Sequence, residues 1–235
     1  MDFAGSDSTA ARESALVDGG AATPDQILTR YLAVSGRGMA RGFSSVARFL
    51  GKLPKLNKTA SLAATRHTDN RGLVQYKDVL VRSGDSTVQK DVIARFMSGE
   101  VDTASDPVKA AERKAMAITA DNYKFKYKGV QQVPGAGQVH VFEVNPKKKR
   151  VGLFKGELWL DAETGLTVRE AGKFVKSPSV FLKNVEFERH YAILDGVSVP
   201  KSLSSNIETR FWGTAVLQIE YSDVTFDPEL QLTGL

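Results

Sequence analysis

A change of period constrains this chain most. Up to residue 58 and again over 106–120 the apolar residues recur at helical spacing. Elsewhere from residue 59 onward they recur every second residue. The alternation is most regular over 121–226, in seven segments: 122–133, 138–145, 151–160, 166–175, 180–194, 197–208 and 215–226. Each closes on a turn signal such as Pro134-Gly135-Ala136-Gly137, Thr164-Gly165, Ser177-Pro178 or Asp195-Gly196. Strands this close, with no helix between them, pair antiparallel as a meander. So many in a row twist and curl, and must hide one face.

The earlier half is mixed. Residues 1–22 are rich in Ala, Ser, Asp and Gly and read as a flexible polar tail. One domain is expected over 23–235, since no Gly/Ser-rich or Pro-rich linker divides it. A helix begins at Thr23 as N-cap and Pro24 as first helical residue. Ile27, Leu28, Tyr31 and Leu32 form its apolar stripe, and Gly36 and Gly38 end it. A second, basic amphipathic helix is expected over 39–51, with Met39, Phe43, Val46, Phe49 and Leu50 on one face. Strands are expected near 59–67, 72–83 and 87–98, the last two joined at a Ser83-Gly84-Asp85-Ser86 hairpin turn. A further helix is expected over 106–120, capped by Asp106 with Pro107 behind it. The expected fold is mainly β (α+β). A strongly curved antiparallel sheet forms a half-open β-barrel, and helices cover its concave face.

Composition narrows the chemistry. The 235 residues contain no Cys, which excludes disulfides, a thiol nucleophile and Cys-ligated metal sites. Thirty-two basic against 27 acidic residues leave a mild +5. No apolar run is long enough for a transmembrane helix. There is no phosphate-binding loop, dinucleotide fingerprint, zinc-protease motif or nucleophile elbow. His67, His140 and His190 are far apart in sequence and lack a metal-ligand spacing. His140 and His190 read as solvent-facing strand residues. Glu143 lies on the opposite face from His140, and Glu186 and Glu188 share a face with His190. Asp161 and Glu163 read as turn residues, not an acid–base pair. The run Lys147–Arg150 reads as a solvated hairpin tip. In Tyr123–Lys128 strand alternation puts the aromatics inside and the lysines outside, so no nucleic-acid surface is expected. No catalytic residue, metal or cofactor is expected.

The strands carry more inward-pointing apolar residues than three short helices can cover. One alternation set holds Phe142, Val144, Leu158, Leu160, Val185, Phe187, Tyr191, Leu217, Ile219 and Tyr221. These are the candidate walls of an apolar cavity. Leu28, Tyr31, Leu32, Met39, Phe43, Val46, Phe49 and Leu50 are its candidate lid. Such a cavity suits an acyl chain, because each buried methylene contributes ~0.8 kcal/mol and a 16-carbon chain on the order of 10 kcal/mol.

The segment Lys155-Gly156-Glu157-Leu158-Trp159-Leu160-Asp161-Ala162-Glu163-Thr164-Gly165-Leu166-Thr167-Val168-Arg169-Glu170 resembles the strand–turn–strand signature of the outer-membrane lipoprotein-sorting superfamily (LolA, LolB and RseB-like proteins). The helix from Gln26 to Gly36 resembles that family's opening helix. Tyr191 through Pro200 and Leu217 through Val224 resemble its closing strands. The resemblance covers about 24–226. It implies a half-open barrel around an acyl-chain cavity, in an exported, periplasmic protein whose signal has been removed. It further implies a non-enzymatic carrier or chaperone in lipoprotein sorting. The expected partners are lipid or lipoprotein acyl chains and membrane-associated donor or acceptor proteins, with peripheral membrane contact by a monomer. The alternative on the same fold is an envelope sensor that binds another protein.

Overall fold

A computed structural model describes residues 22–35, 41–101, 107–177 and 179–228. Expectations for the tail, for Gly36, Gly38 and Met39, and for Asp106 lie outside the described residues. Ten strands form one antiparallel sheet: β1 Phe43–Leu53, β2 Lys58–Thr68, β3 Val74–Gly84, β4 Tyr123–Val133, β5 Gly137–Pro146, β6 Phe154–Asp161, β7 Thr167–Phe174, β8 Leu182–Leu194, β9 Val197–Thr209 and β10 Thr214–Phe226. Their spatial order is β3-β2-β1-β10-β9-β8-β7-β6-β5-β4. The seven late segments therefore form the expected meander. Strand β1 extends it by pairing with β10, with Phe49 opposite Ile219. The order does not close, because β3 and β4 remain as edges. A curved, half-open barrel results.

The first helix, α1 (Pro24–Ser35), forms as expected. Thr23 and Gln26 make a reciprocal capping box: Thr23 N donates to Gln26 Oε1 at 2.9 Å and Gln26 N to Thr23 Oγ1 at 3.4 Å. The helix seats Ile27 and Tyr31 in the core above β6. Its docking point is the β6–β7 turn. Gly165 there has φ +73, and a Cβ would meet Arg30 Cβ at 2.9 Å. The Arg30 guanidinium also donates to Glu163 O at 2.7 Å.

Two expectations are overturned. The described part of the helix expected over 39–51 is not helical: Phe43–Leu53 is strand β1, and its even and odd positions differ in burial. Apolar residues at 43, 46, 49 and 50 satisfy helical spacing. The strand buries Phe43, Ser45, Ala47, Phe49, Gly51 and Leu53 instead, so three of its inward residues are too small to register as apolar. The second correction concerns 87–98, which is helical, not extended. Ser86–Val88 is α-helical, Gln89–Ala94 a π-turn and Arg95–Glu100 α-helical, together α2. Val88, Val92, Ile93, Phe96 and Met97 fall at i, i+4, i+5, i+8 and i+9, which is one helical face. The presumed hairpin turn is its start, where Asp85 Oδ1 accepts from Thr87 N at 2.8 Å. A shorter helix than expected, α3, spans Pro107–Met116.

Helix α2 lies on the concave face over β1, β2 and β10. Gly51 makes that close approach possible, since a Cβ there would sit 2.7 Å from Val88 Cγ1 and 3.1 Å from Ile93 Cγ1. The main core is the concave face itself. It runs from Ala47, Phe49 and Leu62 through Leu217 and Ile219 to Leu158, Leu160, Phe142 and Val144. Phe43, Val197 and Val199 form a smaller cluster.

Candidate functional site

The concave face is filled unevenly. Over β5 and β6, the helix α1 and the segment before β6 plug it: Phe142, Val144, Leu158 and Leu160 pack with Ile27, Tyr31, Tyr123 and Leu153, all of them buried. Over β8, β9 and β10 the only cover among the described residues is α2. A cavity of about 870 Å³ remains between them, within the usual ~300–1,000 Å³ of ligand pockets. Its helix wall carries Val92, Ala94 and Phe96, with Lys90, Asp91 and Arg95 beside them. Its sheet wall is Val185 and Phe187 of β8, Leu203 and Ile207 of β9, and Ala215 and Leu217 of β10. At one end stand Phe181, Phe211 and Trp212, from the loops flanking β8 and β9. Phe181 and Phe211 face each other at 6.1 Å between ring centroids and are more than half exposed, as is neighbouring Val180. Apolar surface is thus continuous from the cavity to the outside.

Of the ten wall candidates, Val185, Phe187 and Leu217 line this cavity. Phe142, Val144, Leu158 and Leu160 sit in the plugged half, and Ile219 is fully buried in the same core. Tyr191 and Tyr221 are half-buried on the concave face among charged side chains. Of the lid candidates, Leu28, Tyr31 and Leu32 lie on α1, which packs on β6. Phe43, Val46, Phe49 and Leu50 belong to β1 and so to the sheet beneath, with Phe49 in edge contact with Tyr76 and Phe96. The cover at the cavity is α2, which sequence reading took for a strand. Its helical spacing was the available signal.

The other end of the cavity is polar. Arg189 and Glu100 line it. Arg189 Nη1 is 3.7 Å from Glu170 Oε2, and its guanidinium lies 5.1 Å from the Phe187 ring centre. The Tyr191 hydroxyl donates to Glu170 Oε2 at 3.2 Å. Beside them, Arg66 Nε donates to Glu100 Oε2 at 3.2 Å and the Tyr76 hydroxyl to the same oxygen at 2.6 Å. The Arg66 guanidinium also donates to Thr68 Oγ1 at 2.7 Å and lies over the Tyr221 ring. Burial pushes the Tyr76, Tyr191 and Tyr221 hydroxyls above the usual phenol range, with Glu100 or Glu170 adding to the shift. Tyr31 of α1 is raised by burial and by Glu170. Burial alone pulls the Arg189 guanidinium toward losing its proton, but neighbouring Tyr191 and Glu170 outweigh it and raise the pKa above the ordinary value, so the guanidinium is held charged.

Other candidate groups are occupied structurally. His140, expected to face solvent, is buried at 4% exposure on the concave side of β5, where the Tyr127 hydroxyl meets its Nδ1 at 3.2 Å. His190 lies on the opposite face with Glu188 at 2.9 Å, far along the sheet order from His140. Among the described residues no three His, Asp or Glu side chains converge as a metal site would require. Asp161 Oδ1 accepts from Glu163 N and Thr164 N at 3.2 and 2.8 Å, which makes it a turn residue. Ser44 Oγ lies 3.1 Å from His67 Nδ1, but Asp227 is 3.8 Å from the other ring nitrogen. That separation is too long for the hydrogen bond that would orient a catalytic histidine. Lys147–Arg150 are exposed, as a solvated tip should be.

No family model and no curated protein matches the chain. Solved structures do. A DUF1329 family protein from Desulfovibrio piger is similar over 90% of this chain and 94% of its own, at 14% identity and TM-score 0.48. A LolA superfamily protein from Nitrosomonas europaea is similar over 88% and 95%, at 14% identity and TM-score 0.40. The unclosed ten-stranded sheet with its covering helices is itself the architecture that the resemblance implied. None of the described helices is long and apolar enough to cross a membrane.

Proposed function

We propose that this protein is a non-enzymatic carrier that shields lipid or lipoprotein acyl chains in the cavity under α2. The single observation that carries this reading is the unfilled apolar space of about 870 Å³ between α2 and strands β8–β10. Burying ten methylenes there gains about 8 kcal/mol before the cost of association is subtracted. The sequence resemblance of residues 155–170 supports a place in outer-membrane lipoprotein sorting and a periplasmic setting. The rim supports peripheral contact with a membrane: Val180, Phe181 and Phe211 are exposed together, with Lys176, Lys183 and Arg210 close in sequence. Native mass spectrometry of protein purified gently from a bacterial envelope tests the reading. Retained acyl species of discrete mass are expected. Their absence, together with no uptake of a neutral long-chain fluorophore, refutes it.

A second reading, a sensor that binds another protein, is favoured by one feature. Edge strand β3 exposes Val79, Leu80 and Val81, with backbone groups on its outer side available for an added strand. It predicts capture of an envelope protein that is abolished by a proline at Leu80 and unaffected by filling the cavity.

A further inference from the structure

Resting on the carrier reading, we propose that the protein docks one end of its sheet, the end where the cavity opens, on an anionic bilayer surface. Strand direction assigns each connection to one end or the other. Loops 54–57, 147–153, 175–181 and 210–213 lie at the end of Phe181, Phe211 and Trp212. Connections 69–73, 134–136, 162–166 and 195–196 lie at the opposite end. The first four carry Lys55, the run Lys147 to Arg150, Lys176 and Arg210, which is seven cations and no acid. The other four carry Arg71 against Asp69, Glu163 and Asp195. Strand residues next to these loops extend the contrast. Lys52, Lys58, Lys155, Lys173 and Lys183 flank the first set against Glu208, whereas Asp161 and His67 flank the second. The long connection 85–122 leaves from the basic end and returns to it, with five cations and seven acids. Asp85 pairs with Lys58 at 3.1 Å and Asp91 with Arg95 at 3.1 Å. Glu100 sits at the far end with Arg66. Asp102 and Asp106 lie outside the described residues, and Glu112 and Asp121 stand near Arg113 and Lys114 in sequence. An excess of two acids against seven loop cations leaves this end positive.

The four loops make one surface. Lys55 lies across Gly213, where a Cβ would meet its Cδ at 2.5 Å. Arg210 N donates to Phe181 O at 2.9 Å, and Arg210 Nε to Val180 O at 2.6 Å. Val175 N donates to Leu153 O at 2.9 Å. Each loop also exposes an apolar side chain beside its cations: Leu56, Val151, Val180 with Phe181, and Phe211. None of the four connections at the opposite end exposes a large apolar residue, although Leu194 adjoins the last of them. Cations alone would suit a nucleic-acid backbone as well. The aliphatic tips decide between the two, because Leu56, Val151 and Val180 offer no ring on which a base could stack. On a bilayer they enter the acyl boundary while the neighbouring cations meet anionic head groups. A chain leaving the cavity past Phe181 and Phe211 then passes into lipid without crossing water.

The test is co-sedimentation of the full chain with phosphatidylcholine vesicles, with and without about a third phosphatidylglycerol, at low ionic strength. The anionic vesicles are expected to bind at least tenfold more tightly, and added salt to weaken them. Each cation at the surface is worth roughly fivefold in affinity. Lys148→Ala combined with Lys149→Ala should therefore weaken binding about twentyfold. Phe211→Ser should weaken it about fivefold. Arg71→Ala, which removes a charge at the opposite end, should leave it within about twofold. All four substitutions fall on exposed side chains, so the fold is kept. Equal affinity for the two kinds of vesicle overturns the inference, as does a fivefold loss from Arg71→Ala. So does binding that Phe211→Ser leaves unchanged, the result expected of a purely polyanionic partner. Failure of the carrier reading looks different: the chain then binds anionic vesicles but takes up no neutral alkyl fluorophore.

Discussion

Replacing Ile207 by Trp should abolish ligand binding without unfolding the protein. Ile207 is half-buried on β9, faces the cavity, and pairs with Ala215 on one side and Val185 on the other. Across from it lies open space, not packed side chains. An indole built there takes the room of about four ligand methylenes. At ~0.8 kcal/mol each this is about 3 kcal/mol, or roughly a hundredfold in affinity. The same indole at Leu158, which is fully buried in the plugged half, has nowhere to go. Overpacking of that kind costs ~1–3 kcal/mol of stability. Urea unfolding and titration with a neutral alkyl fluorophore read both quantities on each variant. Expected are unchanged unfolding with lost binding for Ile207→Trp, and a lowered midpoint for Leu158→Trp. Equal destabilisation of the two would show that the space under α2 is filled. A stable Ile207→Trp that still takes up ligand would place the ligand elsewhere.

Three further outcomes follow from the same geometry. Gly51→Ala should destabilise by about 1–3 kcal/mol, because its methyl group meets Val88 and Ile93 of α2; the loss should appear first as faster hydrogen exchange in 86–100. Glu100→Ala, which strands the buried Arg66 guanidinium, should cost about 3–5 kcal/mol. Tyr76→Phe, which removes one hydrogen bond to a charged group, should cost only ~1.5–3 kcal/mol, and chemical denaturation ranks the two. Burial depresses the pKa of His140 below its ordinary value, so the unfolded chain takes up its proton first. The stabilising effect of keeping this ring neutral is complete above the unfolded value near 6.5. It falls away as pH drops toward the lower folded value. Unfolding midpoints at pH 7.5 and 5.5 should therefore differ more for the wild type than for His140→Gln.

Much of the β architecture could be read from period-two alternation, because strands β4 to β10 each hide one face and pair with their sequence neighbours. What could not be read lies where two elements approach closely. Strand β1 meets α2 across Gly51, and that contact demands a residue without a side chain; with Ser45 and Ala47 also inward, the apolar alternation a strand would otherwise show is lost. Helix α2 failed for a complementary reason. Val88, Val92 and Ile93 are β-branched and strand-favouring by propensity, yet tertiary burial against β1 and β10 holds them in a helix with a π-turn. The cavity inherited both errors. Its floor on β8–β10 was within the predicted set through Val185, Phe187 and Leu217. Its cover lies outside that set, because β-branched residues make the helix that supplies it read as sheet.

The division of the concave face explains why one curved sheet both holds itself together and keeps room for a guest. Phe187 marks the boundary: it touches Phe154 at 4.9 Å and Phe174 at 5.2 Å between centroids on one side, and opens to the cavity on the other. On the β5–β6 side, α1 and Leu153 supply the apolar mass that a stable core needs. On the β8–β10 side, α2 packs Val88 and Ile93 on β1 and turns Val92, Ala94 and Phe96 toward the gap, with Lys90, Asp91 and Arg95 beside them. The charged cluster lies where these regions meet, tying α2 to β2 and β3 through Glu100. A helix anchored at its far end by Arg66 and Tyr76, and at its near end by Val88 on Gly51, cannot settle into the gap. Its cover is fastened elsewhere, which leaves the space between α2 and β8–β10 open.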